Sequence, residues 1–279
     1  MPDFFPRGTD IPSQSPLFWV SQKDRYLRQL LIRDIEAITG RRLLVYFTDC
    51  AAVAQIDGFD CKYITELLGS EGLPFDLLLE TNGGQTDATE NLVSILSKGS
   101  TSFRVIVPAR AKSNGTLIAL ASDEILMGNP SELGPVDPNL VMGNQMIPCS
   151  FIISAANAGQ PVDPIMLQFA LAAINQTMKL AETVLAQRML KGTAPDRIKT
   201  IVNDLATRQK YYSHGSVIDS GEAASLGLKV QYLRPNDDLW QKIWLLRCMY
   251  EFDARMLGVA KMYESVNLSH SIKIAPPVL

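Results

Sequence analysis

The 279-residue sequence is poor in the residues that build several common kinds of site. Two histidines and four cysteines, without CxxC or HExxH spacing, predict no metal site and suggest free thiols in a reducing compartment. A net charge of −3 without a basic block argues against nucleic acid as a partner. No apolar run reaches the roughly 18 residues of a membrane span, and the first residues lack a signal-peptide layout. We therefore expect a cytoplasmic protein without a membrane span.

The first half of the chain alternates predicted strands and helices. Such alternation is typical of βαβ units, and it predicts an open α/β sheet with parallel strands. The expected helices are Asp24–Thr39, Phe59–Leu68, Asp87–Leu96 and Asn114–Ser122, and the expected strands are Arg42–Thr48, Phe75–Glu80, Phe103–Pro108 and Glu124–Met127.

The second half is predicted to be mostly helical, with its helices packed on the sheet. We expect an N-terminal arm over residues 1–20 and a single domain over 21–279, with a sheet core at about 40–150 and a helical part at about 160–279. The expected elements are helices Pro164–Leu190, Ala194–Gln209 and Asn236–Leu257, a turn and short helix at Gly215–Gly227, and one strand, Lys229–Leu233.

A glycine pair follows the second predicted strand. Gly83 and Gly84 lie between Phe75–Glu80 and a helix, at the sheet edge where α/β proteins bind ligands. Paired glycines allow the backbone to direct its N–H groups toward an oxyanion, although a tight turn without a function would have the same sequence. Neither GxGxxG nor GxxxxGK[ST] spacing is present, so we predict no dinucleotide, no P-loop and no cofactor.

Ser113 follows the next strand, Phe103–Pro108, and opens an apolar helix. A serine at a helix N-terminus could be a nucleophile near free N–H groups, or it could merely cap the helix. The two turns follow neighbouring strands of one sheet. Together they could supply a nucleophile and an oxyanion site.

Three further residues are candidates for acid–base chemistry. Asp137 lies between two prolines in LGPVDP and could orient a base, or it could belong to an ordinary turn. His214, in YSHG, is a plausible general base, although an isolated loop histidine is commonly a surface residue. His270 lies in a predicted polar and mobile C-terminal tail and is a poor candidate.

The order TNGGQTDATENLVSIL, a strand, AKSNGTLIALASDEILMG and LGPVDP resembles the Clp-protease/crotonase superfamily, and within it the serine dehydrogenase proteinase family. The similarity is strongest over residues 75–138, and VIDSGEAASLGLKV at Val217–Val230 is a weaker echo. The resemblance implies a Clp/crotonase-like open sheet of ββα units with flanking helices and a helical C-terminal half. It also implies self-association and a peptide or unfolded-protein substrate.

The resemblance further implies a serine peptidase with an acyl-enzyme on Ser113 and an oxyanion hole formed by Gly83, Gly84 and Asn114. Asp137 and His214 occupy the two remaining slots in the reverse of the Clp order, in which histidine comes first. The order Ser, Asp, His of the serine dehydrogenase proteinase family fits Ser113, Asp137 and His214, so the resemblance implies His214 as the base and Asp137 as the residue that orients it. A carboxylate beside the serine would be a weak base.

Three alternatives therefore stay open. A lysine could be the base: Lys112 is next to the serine but is expected to point elsewhere at the helix start, whereas Lys191 and Lys210 lie in the right general region. The chain could also be a non-catalytic assembly protein with an impaired site, or a crotonase-type acyl-CoA enzyme.

Overall fold

The computed structural model describes residues 15–274 apart from 53, 71 and 144. In chain order its elements are α1 (Pro16–Ser21), α2 (Lys23–Thr39), β1 (Arg42–Thr48), α3 (Asp60–Leu68), β2 (Phe75–Glu80), α4 (Thr86–Gly99), β3 (Phe103–Val107), β4 (Arg110–Ala111), α5 (Asn114–Leu120), β5 (Ile125–Met127), β6 (Glu132–Leu133), β7 (Asn139–Met142), β8 (Gln145–Pro148), α6 (Cys149–Asn157), α7 (Pro164–Gln187), α8 (Pro195–Ala206), α9 (Ser220–Leu226), β9 (Val230–Tyr232), α10 (Asp238–Leu257), β10 (Val259–Glu264) and β11 (Ser269–Lys273).

The main sheet of the described chain has seven strands in the order β11–β10–β1–β2–β3–β5–β9. The five strands from β1 to β9 in that order run parallel, whereas β10 is antiparallel to both β1 and β11. The predicted open α/β sheet is confirmed. Two short two-stranded sheets, β4–β6 and β7–β8, lie outside it.

Helices cover both faces of this sheet, and β1 shows why its sequence requires them. Successive strand residues point to opposite faces, so Leu43, Val45 and Phe47 pack with α2 and α10. Leu44 and Tyr46 pack on the other side, in the core to which α3, α4, α5, α7 and α8 contribute. A strand buried on both faces is expected to be apolar throughout, as RLLVYFT nearly is.

Two strands near the C-terminus were not predicted, and they correct the expected extent of the sheet. β9, β10 and β11 all belong to the main sheet although they lie beyond the predicted sheet core of about 40–150. The predicted mobile tail around His270 is wrong, because His270 lies in β11 opposite Tyr263 and within 2.9 Å of Glu66. Its sequence, SHSIK, alternates weakly because this strand is at the edge and half exposed.

Buried ion pairs fasten β10 to elements that are distant in sequence. On one face the Lys261 ammonium lies 2.7 Å from Asp60 at the start of α3. On the other face the Arg28 guanidinium of α2 lies 2.9 Å from Glu264. These partners are buried, and buried charges are stable only when they are paired. The pairs explain how a strand with charged residues is accepted inside the fold.

The predicted helices of the second half are confirmed with shifts of a few residues at their ends. Within the described residues no helix combines the length and the apolarity needed to cross a bilayer. The β7–β8 hairpin and α6 were not predicted, and they form a small core of their own around Cys149, Ile152 and Ala170. Of the predicted N-terminal arm, residues 1–14 lie outside the described residues, and α1 begins at Pro16.

Candidate active site

The two turns singled out in the sequence lie side by side. The Thr81 N–H donates to the Arg110 carbonyl at 3.0 Å, and the Lys112 N–H donates to the Thr81 carbonyl at 3.0 Å. These bonds form a parallel bridge between Thr81 and Ala111, just beyond the carboxyl ends of β2 and β3. The glycine pair and Ser113 are therefore brought together by the sheet edge, as their positions after neighbouring strands predicted.

Gly84 is held in an extended segment against Ile56. The Ile56 N–H donates to the Gly83 carbonyl at 2.8 Å, and the Gln85 N–H donates to the Ile56 carbonyl at 2.9 Å. In such a ladder the intervening residue directs its own N–H and C=O away from the partner strand. The Gly84 carbonyl accepts a hydrogen bond from the Asn114 side chain at 2.5 Å, so the Gly84 N–H points toward the same side as Asn114.

Glycine is required at both positions, for different reasons. A Cβ on Gly84 would lie 2.3 Å from backbone atoms of Ile56. A Cβ on Gly83, which has a φ of +102°, would lie 2.8 Å from the Ser113 Cβ. The Gly83 N–H donates to the Thr81 hydroxyl at 3.1 Å and is therefore engaged. Gly83 provides the close approach to the serine, and Gly84 offers the N–H group.

Ser113 has an unusual backbone conformation for a residue with a side chain. It lies between β4 and α5 with φ 53° and ψ −120°. Conformations of this kind cost an L-residue about 1–3 kcal/mol and are concentrated at functional sites. The Ser113 hydroxyl makes no capping hydrogen bond to α5, so the alternative that this serine merely caps the helix is wrong. The Ser113 carbonyl, by contrast, accepts from the Thr116 N–H at 2.9 Å and begins α5.

Asn114 supplies the second free amide. Its buried side chain is anchored on Gly84, while no described residue accepts a hydrogen bond from its backbone N–H. The same holds for the Gly84 N–H. Two backbone N–H groups without acceptors, on either side of a serine, form an arrangement that could hold a developing oxyanion.

Asp137 and His214 are also brought together. The His214 Nδ1 atom lies 2.7 Å from one Asp137 carboxylate oxygen, and the Arg208 Nε atom lies 2.5 Å from the other. The Asp137 side chain is 1% exposed and that of His214 is 30% exposed. A carboxylate that accepts from Arg208 favours the His214 tautomer with a proton on Nδ1, which leaves Nε2 free. The aspartate lies deep and the histidine lies nearer the solvent.

The predicted site residues line one open pocket. Asp137 and His214 are its only charged or titratable lining groups among the described residues, and the Ser113 hydroxyl makes no hydrogen bond to any described residue. No group of three histidine, cysteine or carboxylate side chains in the described chain could hold a metal ion. The lining consists of Ala52, Ala54, Gln55, Asn82, Gly83, Gly84, Thr86, Ser113, Asn114, Asp137, Pro138, Asn139, Val141, Met146 and His214.

None of the three lysines considered as a base lines this pocket. Burial lowers the pKa of Lys112, but its ammonium already contacts the Leu133 carbonyl at 3.1 Å and the Ser216 carbonyl at 3.0 Å. Lys210 lies 2.8 Å from a Glu222 oxygen. Lys112 instead ties the segment before Asp137 to the segment after His214.

Two residues that support the site were missed by the sequence reasoning. Arg208 lies in a polar stretch after α8, where one arginine among several carries no local signal. Thr116 lies one turn into α5, and its hydroxyl is 2.7 Å from the Ala111 carbonyl and accepts from the Gly134 N–H at 3.0 Å. The residue type is ordinary for a helix. Its bond to Gly134 arises only because the LGPVDP segment approaches α5 in the fold.

Comparison with known sequences identifies the class of protein that this fold and pocket define. Residues 65–256 match the sequence model of the ClpP-like SDH-type serine proteinases. The match covers more than half of the chain, and the chain therefore belongs to this family of serine proteinases. The resemblance drawn from the glycine turn, the serine turn and LGPVDP is confirmed, and with it the Clp-like fold class.

Two archaeal sequences are also similar, both from Methanocaldococcus jannaschii. The uncharacterized protein MJ0137 is 30% identical over 193 residues, which are 67% of this chain and 62% of that protein. The uncharacterized protein MJ1495 is 27% identical over 232 residues, which are 78% of this chain and 75% of that protein. The chain thus spans less than two thirds of the length of the first of these relatives.

Solved structures with similar folds include a variant of the 1510-N membrane-bound stomatin-specific protease. It is 20% identical to this chain with a TM-score of 0.44, and the match covers 67% of this chain and 79% of that protein. ClpP1 from Listeria monocytogenes has 14% identity and a TM-score of 0.43, covering 76% of this chain and 99% of that one.

Proposed function

We propose that this protein is a serine peptidase that cleaves peptide bonds through an acyl-enzyme on Ser113. His214 is the general base, Asp137 orients it, and the backbone N–H groups of Gly84 and Asn114 hold the oxyanion. Membership of a serine proteinase family supports the reaction class. The side-by-side arrangement of the two turns supports these particular residues.

The reaction follows from the chemistry of these groups. The Ser113 oxygen bonds to the peptide carbonyl carbon while its proton moves to the His214 Nε2 atom. The carbonyl oxygen becomes an anion between the two amides. The C–N bond then breaks, and the leaving amine takes the proton from His214. Water attacks the acyl-enzyme by the same route, releases the acid and restores the serine.

One observation carries the proposal: two backbone N–H groups that have no acceptor among the described residues flank a serine in a high-energy backbone conformation. A serine that served only as a helix cap would have ordinary extended backbone and would use its hydroxyl for the cap. An oxyanion site made of preorganised backbone groups is worth about 10²–10³ in rate for each donor.

A second candidate, a non-catalytic assembly protein, is favoured by the Ser113 hydroxyl, which has no hydrogen-bond partner in the described chain. A base must be within hydrogen-bond reach of the proton that it removes, although in unliganded enzymes such contacts are often long and close only with substrate. The two candidates differ in a single measurable property, the reactivity of Ser113.

The experiment is labelling of the folded protein with a fluorophosphonate, followed by peptide mapping. We expect a single label on Ser113, no label in Ser113→Ala, and full labelling in the control Ser225→Ala, whose hydroxyl bonds to the Gly221 carbonyl on α9 at 2.9 Å. Labelling at another residue, or none in the wild type, would contradict the peptidase and support the assembly protein.

Substrate and setting complete the proposal. The pocket is open, and all of its described lining residues except Asp137 and His214 are uncharged, which supports an extended peptide or an unfolded segment as the substrate. The four cysteines are free, which is in keeping with a reducing cytoplasmic compartment. We further propose that the chain forms a homo-oligomer and uses no nucleic acid or cofactor.

A further inference from the structure

Among the residues that the structure describes, Arg208 is the one charged group that contacts the Asp137–His214 pair from outside. Its Nε atom lies 2.5 Å from Asp137, its side chain is 11% exposed, and its guanidinium lies 5.3 Å from the centre of the Phe151 ring. An arginine that stacks on an aromatic ring and bonds to a buried carboxylate is restricted in both position and rotamer.

The backbone also commits Arg208 to this place. It follows the last turn of α8 and has a positive φ of 57°. Among the described non-glycine residues, only Ser113 also has a positive φ. The Val136 N–H donates to the Leu205 carbonyl at 2.9 Å, so the segment that carries Asp137 is fastened to the end of α8 just before Arg208. The left-handed backbone of Arg208 reverses the chain direction at that point, and the Arg208 side chain contacts Asp137.

The carboxylate has two oxygens, and each has one of these partners. With one oxygen held by Arg208, Asp137 presents the other to the His214 Nδ1 atom in a fixed orientation. Without the guanidinium a buried carboxylate would lose its compensating charge and its rotamer restraint. The imidazole would then exchange between its two tautomers, and only one of them leaves Nε2 free to accept a proton.

We propose that Arg208 is a positioning residue for the Asp137–His214 pair, which rests on the proposed peptidase function. It touches neither substrate nor nucleophile, and it acts by fixing the carboxylate that selects the His214 tautomer. The reversed chain order of aspartate and histidine is compatible with catalysis because this arginine holds the aspartate behind the histidine.

The chain offers a closely matched control in Arg188. Its side chain is 13% exposed, its guanidinium lies 4.9 Å from the centre of the Phe103 ring, and its NH1 nitrogen lies 3.5 Å from Asp123. These contacts lie at the amino-terminal end of β3, whereas the pocket lies beyond the carboxyl end of that strand. Arg188→Ala thus removes a partly buried arginine with a ring contact and a carboxylate contact, together with its bonds to the Ser97 and Ser100 carbonyls at 2.8 Å, without touching the pocket.

The first arm of the test reads the tautomer directly. Because the chain has two histidines, protein labelled with ¹⁵N-histidine gives two sets of imidazole signals, which His270→Gln assigns. We expect one dominant His214 tautomer with a proton on Nδ1 in the wild type and in Arg188→Ala, and a mixture in Arg208→Ala. An unchanged His214 spectrum in Arg208→Ala overturns the proposal, and this arm is decisive even if Ser113 proves unreactive.

The second arm measures the rate of fluorophosphonate labelling and the peptide kinetics. Arg208→Ala is expected to lower the labelling rate and kcat at least tenfold with little change in KM, and Arg208→Lys to recover part of the loss. In the Asp137→Ala background Arg208→Ala should add no further loss. Equal effects of Arg208→Ala and Arg188→Ala would show a merely structural role. A wild type that does not label rejects the peptidase and leaves the tautomer arm to decide on Arg208.

Discussion

At the residue scale, Gly84 and Ser113 show that the site is built from backbone positions as much as from side chains. Gly84 lies too close to Ile56 for any Cβ, and Ser113 keeps a conformation that few residues adopt. The motif of two glycines and a serine therefore reflects two restrictions: the lack of space for a Cβ and the unusual backbone conformation. In the proposed mechanism the Gly84 and Asn114 amides and the Ser113 hydroxyl act on one substrate carbonyl.

Gly84→Ala is expected to harm both stability and reactivity. The added Cβ would lie 2.3 Å from Ile56 backbone atoms, so the two segments must separate, at a cost of about 1–3 kcal/mol in the free energy of unfolding. The Gly84 amide would move with them, and the labelling rate should fall at least tenfold. Urea unfolding and labelling kinetics measure the two effects. The control is Gly58→Ala, whose Cβ would meet no atom within 4 Å.

His214→Ala is expected to lower the labelling rate of Ser113 by about 10³-fold or more, because the loss of the base removes the whole proton transfer. Asp137→Asn should cost less if Asp137 only orients the imidazole. His270→Ala is the control, since His270 lies in β11 and its imidazole contacts Glu66 of α3, and neither residue lines the pocket. If His214→Ala labelled normally and Lys112→Met did not, the base would be a lysine.

At the element scale, the sequence predicted the parts of the fold whose pattern is local. The strands Arg42–Thr48 and Phe75–Glu80 were found at the predicted bounds, because strands buried on both faces are short apolar runs. β10 was missed because Lys261 and Glu264 interrupt its apolar pattern. Their partners lie more than 200 residues away in the chain, and no local pattern can reveal them.

The candidate site divides in the same way. The glycine pair and Ser113 were found because they follow strands, and their position at one sheet edge could be deduced. Arg208 could not be found, since its role depends on where α8 ends relative to the Asp137 segment. The pairing of Asp137 with His214 came from resemblance, because the two are 77 residues apart.

The β7–β8 hairpin is expected to determine how peptides bind. Val141 and Met146 are directly opposite in register, are 72% and 66% exposed, and both line the pocket, while Leu140 and Ile147 pack on the other face. Val141→Asp should therefore raise KM for peptides with apolar residues and leave labelling by a small fluorophosphonate unchanged.

Met142→Asp is the matched control for the hairpin, because Met142 is 48% exposed on the same strand and does not line the pocket. Equal changes in KM for the two variants would mean that the hairpin acts through its general stability and not through contact with the peptide.

At the scale of the whole molecule, the exposed apolar residues of α6 and α7 suggest that the chain does not act alone. Phe151, Ile165 and Phe169 are 55%, 68% and 63% exposed, and Ile165 and Phe169 are one helical turn apart. Exposed clusters of this kind are typical of protein–protein interfaces.

We expect sedimentation at micromolar concentration to show a homo-oligomer, and Phe169→Glu to shift it toward smaller species. Phe252→Glu is the control, because Phe252 is 64% exposed on α10, on the other face of the sheet. A wild-type protein that sediments as a monomer would contradict the prediction of a homo-oligomer.

The pairing of β1 with β10 has a consequence for the living cell. Thr48 and Lys261 are partners across the sheet, yet they are more than 200 residues apart in the chain. At a synthesis rate of about 5–20 residues per second, β1 leaves the ribosome about 10–40 s before its neighbour. During that interval an apolar strand has an unpaired edge, which is a template for aggregation. The nascent chain is therefore expected to depend on chaperones until β10 has emerged.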